Sequence, residues 1–217
     1  MSFTIAHYKT IIFDCDGVIL NSNQVKTNAF YLTVLPYGEK FAQELVEYHV
    51  EHGGISRYEK FAYFIEHIIN NQEITTLDQL VKTYANHVQQ GLLTCDIAAG
   101  IENLRALSPA RWLVVSGGDE NELRKIFKER NIDYLFDGGI FGSPVDKHTI
   151  LRREISNTNI LHPAIFIGDS KYDYDAAQQA ELDFIFMSEW TEVHKWQEWV
   201  TDNKINHQNK LSNFLSK

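Results

Sequence analysis

Asp14 and Asp16 stand two residues apart at the end of the apolar run Thr10-Ile11-Ile12-Phe13, with Gly17 directly behind them. Two carboxylates on an irregular turn project differently from two on one strand face, so they can take separate roles. One can attack while the other moves protons. A carboxylate is a competent nucleophile toward phosphorus when a metal ion lowers the phosphate's charge, giving an aspartyl-phosphate that water then cleaves. Gly17 allows a sharp change of direction. Alone, Asp-Xaa-Asp-Gly fits a tight turn or a weak calcium loop better than a catalytic one; three further polar segments shift that balance.

Ser116, followed by Gly117 and Gly118, can hold a phosphate oxygen through its hydroxyl and successive backbone N–H groups at the start of the next helix. Lys147, after Gly142-Ser143-Pro144-Val145-Asp146, falls in the expected first turn of another helix. A cation there opposes the helix dipole, and neutralising an aspartate and a phosphate supplies a reason for it. Gly168-Asp169-Ser170-Lys171-Tyr172-Asp173 places two acids four residues apart across a strand-to-helix turn. That suits Mg²⁺, a hard cation that keeps several waters. Asp169 is assigned to the metal; Asp173 is a direct ligand, a ligand through water, or a helix cap.

Positioning these groups requires buried strands that end in polar turns. Short apolar runs at Thr10–Phe13, Trp112–Val115, Ala164–Ile167 and Asp183–Met187 read as such strands. Helical patterns lie between them, as at Asp119–Arg130, where Asp119 and Glu122 can form a capping box and Leu123, Ile126 and Phe127 share a face. Alternating strands and helices imply an α/β fold: a doubly wound, Rossmann-like parallel sheet that binds ligands beyond its carboxyl edge.

From about Asn21 to Thr94 the alternation stops, and successive amphipathic helices predict a small inserted α-helical cap. Its clearest helix starts at Ser56, which forms a capping box with Glu59 and presents Tyr58, Phe61, Phe64, Ile65, Ile68 and Ile69; another runs through Leu77, Leu80, Val81, Tyr84 and Val88. The expected division is residues 1–20 and 95–217 for the catalytic core and 21–94 for the cap. Near the end, Thr191–Val200 has a helical pattern, and Leu211, Phe214 and Leu215 suit a last amphipathic turn.

A net charge of −9 argues against nucleic acid or an anionic membrane as partner, since both require a basic face. A small anionic substrate then depends on local cations. Met1–Thr10 lacks the basic-then-apolar layout of a signal peptide, and no apolar stretch approaches the ~20 residues of a membrane span. Cys15 and Cys95 are too few for a disulfide framework, so a cytoplasmic protein, a monomer or a homodimer, is expected. His49 and His52 share a helix spacing but lack further ligands and receive no role. Cys15 is not read as a reactive thiol.

Taken together, Asp14-Cys15-Asp16-Gly17-Val18, Ser116, Gly-Ser-Pro-Val-Asp-Lys147, and Gly168-Asp169-Ser170 with Asp173, Ala176 and Ala177 resemble the haloacid dehalogenase-like hydrolase superfamily. The resemblance spans nearly the whole chain. It implies Asp14 as nucleophile, Asp16 as general acid then base, and Ser116, Gly117 and Lys147 around the phosphate. It also implies Mg²⁺ among Asp14, the Asp16 carbonyl and Asp169, with Asp173 beside them. The insert's location is similar to the helical cap of the branch containing β-phosphoglucomutase and phosphoglycolate phosphatase. There a Gly-Xaa-Ser-Arg stretch can present its arginine to substrate, which points to Arg57 in Gly54-Ile55-Ser56-Arg57, with Lys60 and Lys26 as weaker candidates. The expected function is hydrolysis of a small phosphorylated metabolite, a sugar phosphate or a phosphorylated acid. A sugar-phosphate mutase and a catalytically silent binding protein are the alternatives. Asp16 favours phosphate chemistry over dehalogenation, because halide departure needs no acid. A signalling receiver would hardly place so large an insert between its phosphoacceptor and hydroxyl strands.

Overall fold

The computed structural model describes residues 5–70 and 74–215; the first four residues of the Met1–Thr10 stretch considered above lie outside them. The sheet strands are Thr10–Phe13 (β1), Arg111–Asp119 (β2), Gly139–Ser143 (β3), Ala164–Gly168 (β4), Asp183–Met187 (β5) and Asn206–Gln208 (β6). They pair in the order β3-β2-β1-β4-β5-β6, and every pairing is parallel. Parallel neighbours need crossover connections. Between β1 and β2 these are Asn23–Val34 (α1), Glu39–Glu51 (α2), Arg57–Tyr63 (α3), Leu77–Thr94 (α4) and Ile101–Leu107 (α5). The later crossovers are Glu120–Glu129 (α6), Lys147–Ser156 (α7), Lys171–Gln179 (α8) and Trp196–Asp202 (α9).

Side-chain alternation divides the apolar residues into two cores. Ile11, Phe13, Trp112, Val114, Ile165, Ile167, Ile185 and Met187 face one side, against Ile101, Leu104, Leu123, Ile126 and Phe127 of α5 and α6. Ile12, Leu113, Val115, Phe166, Phe184 and Phe186 face the other, against Ile150, Leu151, Ala176, Ala177 and Val200 of α7, α8 and α9. Strands buried on both faces need near-continuous apolar sequence, which is why the short runs at β1, β4 and β5 stand out. The first core continues into the helices of 23–94 through Phe30, Leu45, Phe61, Phe64, Tyr84 and Val88.

Two strands escape the sequence pattern. β3 contains Gly139 at φ +105° and Gly142, whose added Cβ would lie 2.3 Å from the Gly118 carbonyl oxygen; close backbone approach has replaced the apolar side chains that mark a strand. β6 is a polar three-residue edge, Asn206-His207-Gln208, exposed or half-buried. β2 runs past Val115 through an irregular register to Asp119, so Ser116–Gly118 belong to a bulged strand and not to a helix start. The expected Thr191–Val200 helix begins only at Trp196, because Lys195 takes a left-handed conformation at φ 53°. The helix from Ser56 is α-helical to Tyr63 and then widens into a π-turn at Phe64–Ile68. Leu211–Leu215 forms a 3₁₀ turn. No helix among the described residues is long and apolar enough to cross a membrane.

Trp112 is fully buried at the centre of the first core, its ring 4.6 Å from that of Phe13. Trp112→Ala is expected to lower unfolding stability by about 3–5 kcal/mol, read as a lower urea midpoint at an unchanged denaturant slope.

Candidate active site

Strand order sets the location of the site. From β1 the chain builds outward on one side through β2 and β3 and on the other through β4, β5 and β6, so β1 and β4 flank the point where the direction of winding changes. Crevices form beyond the carboxyl ends at such points. Phe13 pairs with Ile167, and the Asp14 N–H donates to the Ile167 carbonyl at 2.9 Å. Asp14 thus leaves β1 beside the place where Asp169 leaves β4. Gly17, at φ +73°, passes so near that an added Cβ would lie 2.0 Å from Asp169 Oδ2. Asn23 donates to that same oxygen at 2.7 Å.

Carboxylate oxygens of Asp14, Asp169 and Asp173 lie within 4.8 Å of one another, all three residues buried. Lys147, 1% exposed, reaches into the group from the first turn of α7. Its Nζ donates to Asp173 Oδ1 and lies 3.0 Å from Asp14 Oδ1, within ion-pair reach but outside hydrogen-bonding angles. These partners hold the Lys147 ammonium above its usual range against the effect of burial. Asp173 Oδ2 accepts from the Asp169 and Ser170 N–H groups and the Ser170 hydroxyl, completing a capping box at α8. Of the roles left open for Asp173, the structure shows the helix cap and the Lys147 anchor. Burial, aided by Asp173 and Asp16 and opposed by Lys147, pushes the Asp14 carboxyl up to about 7. Burial also raises Asp169 well above the carboxylate range, with Asp14 and Asp173 adding to it.

When all three carboxyl groups ionise, the single Lys147 ammonium leaves two negative charges uncompensated, and burial together with that cost raises Asp14 and Asp169. At an effective dielectric of 20, each like-charge pair at this spacing costs on the order of 3 kcal/mol. Asp14 and Asp169 retain lone pairs for a ligand, and buried oxygens in this number and charge fit a hard divalent cation.

Asp16 has a different environment. Its carboxylate accepts from the Ser22 hydroxyl and the Lys26 ammonium. Burial alone would raise it, but Lys26 and Ser22 outweigh that and hold it below the usual carboxylate range. Ser22 occupies the N-cap of α1 without capping it, because its hydroxyl is turned to Asp16. Asp14, Asp16, Asp169, Gly117 and Arg57 line one cavity of about 60 Å³. Ser116 is fully buried, and its Oγ accepts from the Gly118 N–H at 3.1 Å, leaving the hydroxyl proton to donate. Lys147 and Gly117 line a smaller cavity alongside.

The helical segment closes over these groups. An added Cβ on Gly117 would lie 2.2 Å from the Gly54 carbonyl oxygen, so residues 53–57 rest directly on the β2 bulge. Arg57 is 4% exposed and lies over the Tyr84 ring. Its guanidinium forms two hydrogen bonds to Glu122 of α6, so the anion it answers belongs to the protein. Glu122 therefore completes only half of the expected capping box; its N–H still donates to Asp119. Ser56 likewise caps the Glu59 N–H, while its own hydroxyl donates to the Glu59 carboxylate.

Sequence reasoning passed over Ser22, Asn23, Glu122, Glu192 and His49 as site residues. The available signal was positional: polar residues at 22, 23 and 26, one helical turn after the Asp-Xaa-Asp-Gly motif. His49 and His52 separate, as His49 is buried in the cavity wall while His52 stacks on Tyr48 at 4.1 Å. Burial pushes the Cys15 thiol well above its usual value.

Residues 11–187 match the family profile described as haloacid dehalogenase-like hydrolase. No curated protein matches the sequence significantly. Among solved structures, the chain is similar to a Lactobacillus plantarum protein assigned as a phosphoglycolate phosphatase, with TM-score 0.73, 21% identity, and 98% of this chain and 99% of that one covered. It is also similar to CbbY from Rhodobacter sphaeroides in complex with phosphate, with TM-score 0.71, 17% identity, and 95% and 99% covered. A third is a haloacid dehalogenase-like family hydrolase from Streptococcus pneumoniae, with TM-score 0.64, 19% identity, and 92% of each chain covered.

The Arg57–Glu122 pair has side-chain exposures of only 4% and 16%. Glu122→Gln leaves the arginine buried without a counter-charge and is expected to cost about 3–5 kcal/mol. The double variant Glu122→Leu/Arg57→Met should recover most of that loss in thermal unfolding.

Proposed function

We propose that this chain, which belongs to the haloacid dehalogenase-like hydrolases, is a Mg²⁺-dependent phosphatase of small phosphorylated metabolites. The supporting observation is the buried group at the ends of β1 and β4, where three carboxyl groups gather around one lysine and Asp14 Oδ1, in ion-pair range of Lys147, accepts no hydrogen bond. Asp14 and Asp169, with the Asp16 carbonyl, would hold the ion, and Asp173 would anchor the surroundings. When bound, Mg²⁺ supplies positive charge that lowers the repulsion between the Asp14 carboxylate and a phosphate dianion.

The chain's own residues divide the rest. Lys147 and the Ser116 hydroxyl bind the phosphoryl oxygens. An Asp14 oxygen forms a bond to phosphorus as the ester P–O bond breaks, and the departing alkoxide takes a proton from Asp16. Water then attacks phosphorus, the Asp14–P bond breaks, and Asp16 accepts the water's proton. The grip of Lys26 and Ser22 favours ionised Asp16, the form required in the second half. For the first half Asp16 must swing away from Lys26 and carry a proton. Residues 21–94 act as a cap, since the Gly54–Gly117 contact excludes water while closed and must part to admit substrate. Cys15 and Cys95 are both free, which suits a reducing cytoplasm.

Inorganic phosphate release from a panel of phosphomonoesters should require Mg²⁺ and fall by roughly 10³-fold or more in Asp14→Asn. Release that persists in Asp14→Asn would reject the aspartyl-phosphate route, and phosphate retained in an isomerised product would point to a mutase.

The raised carboxyls also predict a pH dependence. Asp14 in the metal-free fold lies near 7, against an ordinary 3.8. Its contribution to stability is complete below the ordinary value and is lost as pH rises through about 7. Asp169 shifts in the same direction. Bound Mg²⁺ competes with those protons, so its stabilisation, measured as the shift in melting temperature, should be larger at pH 8 than at pH 5.5. An equal shift at both would remove these carboxylates from the metal site.

A further inference from the structure

The cavity lined by the acids is lined by cations as well. Three cations from the helical segment line it: Lys26, Arg57 and Lys60. Lys26 is paired with Asp16 and Arg57 with Glu122. Lys60 is 2% exposed, and among the described residues no carboxylate lies within ion-pair distance of its Nζ. It donates instead to His49 Nδ1 at 2.6 Å and is 3.4 Å from the His49 carbonyl. The Phe30 ring lies beside both, its centroid 5.5 Å from Nζ and 4.4 Å from the imidazole centroid. Because lysine brings only donors, His49 accepts through Nδ1 and carries its proton on Nε2. A buried amine in such a setting costs folding free energy unless a partner completes it.

We propose that Lys60, backed by His49, is the receptor for a second anionic group on the substrate, at the end that is not transferred. This deepens the phosphatase reading and rests on it. The substrate class is then a small phosphomonoester bearing a further acid, with the phosphoryl group at Asp14 and the second anion at Lys60. A carboxylate suits the 60 Å³ space better than a second phosphate, being flatter and smaller. Arg57 and Lys26 do not compete for it, since each already holds a carboxylate of the protein.

The surroundings agree. Burial depresses the Lys60 amine to about 7, with Lys26 adding to that and Asp16, Glu192 and Glu59 opposing it. Burial, together with Lys60 and Lys26, holds His49 well below its usual value, so the imidazole stays neutral and an acceptor. Glu192, whose carboxylate accepts from the Thr27 hydroxyl, lies in the same wall and interacts electrostatically with Lys60, so an anion arriving there must approach from the side away from Glu192.

Binding to Asp14→Asn, which blocks turnover, can be measured by calorimetry with Mg²⁺ for 2-phosphoglycolate, ethyl phosphate and ethylene glycol bisphosphate. An otherwise native chain should bind one of the two doubly anionic compounds roughly 10–100-fold more tightly than ethyl phosphate, the range of a charged hydrogen bond. Adding Lys60→Met should collapse that preference toward one. Which compound loses more identifies the second anion as carboxylate or phosphate. Equal binding of all three, or a preference that survives Lys60→Met, overturns the proposal. If Lys60→Met does not fold by circular dichroism, Lys60→Gln gives the same comparison. Phosphate release by the native enzyme is followed in parallel: failure of every ester there counts against the phosphatase reading, while the calorimetric ratio judges Lys60 independently.

Discussion

Charge concentrated at the ends of two adjacent strands is the constraint from which the rest of this structure follows. Asp14 and Asp169 cannot separate, because Phe13 and Ile167 are paired in the sheet and Asp14 is itself hydrogen-bonded to the Ile167 carbonyl. Asp173 is equally fixed, by the capping box that starts α8. Backbone geometry therefore brings like charges together at a cost. Lys147, drawn into an unfavourable first helical turn, offsets only part of it. The remainder is a carboxylate repulsion that a bound cation would relieve, which is the physical basis of the metal-dependent reading proposed above.

The second pair of groups, Asp16 and Lys26, shows how one short loop holds two carboxylates in different states. Asp14 is buried and Asp16 partly buried, yet Asp14 is pushed up to about 7 and Asp16 is held low. The difference is in their neighbours: Asp14 faces other carboxylates and shares Lys147 with Asp173, whereas Asp16 has a lysine of its own and the Ser22 hydroxyl. Environments that push two carboxyl groups apart in acidity are those that let them play acid–base and nucleophile.

The core of the fold was legible because its strands are buried on both faces and read as unbroken apolar runs. Three of the polar turns, at Asp14, Ser116 and Asp169, could be found for the same reason, since each follows such a run; Lys147 was marked instead by its place in an expected first helical turn. β3 was hidden by Gly139 and Gly142, which let backbones approach where a side-chain pattern would normally report a strand; β6 was hidden by its polar edge. Partnership between distant residues was less legible than position. Nothing in the sequence near Arg57 announces Glu122, and nothing near Asp169 announces Asn23, because those contacts exist only once the helices fold over the sheet.

That folding-over decides what the helical wall can recognise. Arg57 satisfies the expectation of an anion in its helical turn, but the anion is Glu122 of α6, so the pair ties the segment to the strand bulge carrying Ser116. Lys26 similarly ties α1 to the Asp16 loop. Two of the three cations thus hold the closed arrangement, and the third, Lys60, is buried with no carboxylate among the described residues within ion-pair distance. An arginine or lysine that is already paired contributes little new attraction to an arriving anion, since binding would require breaking one charged contact to make another. On the proposal above, selectivity therefore falls to Lys60, whose amine has no carboxylate within ion-pair distance among the described residues.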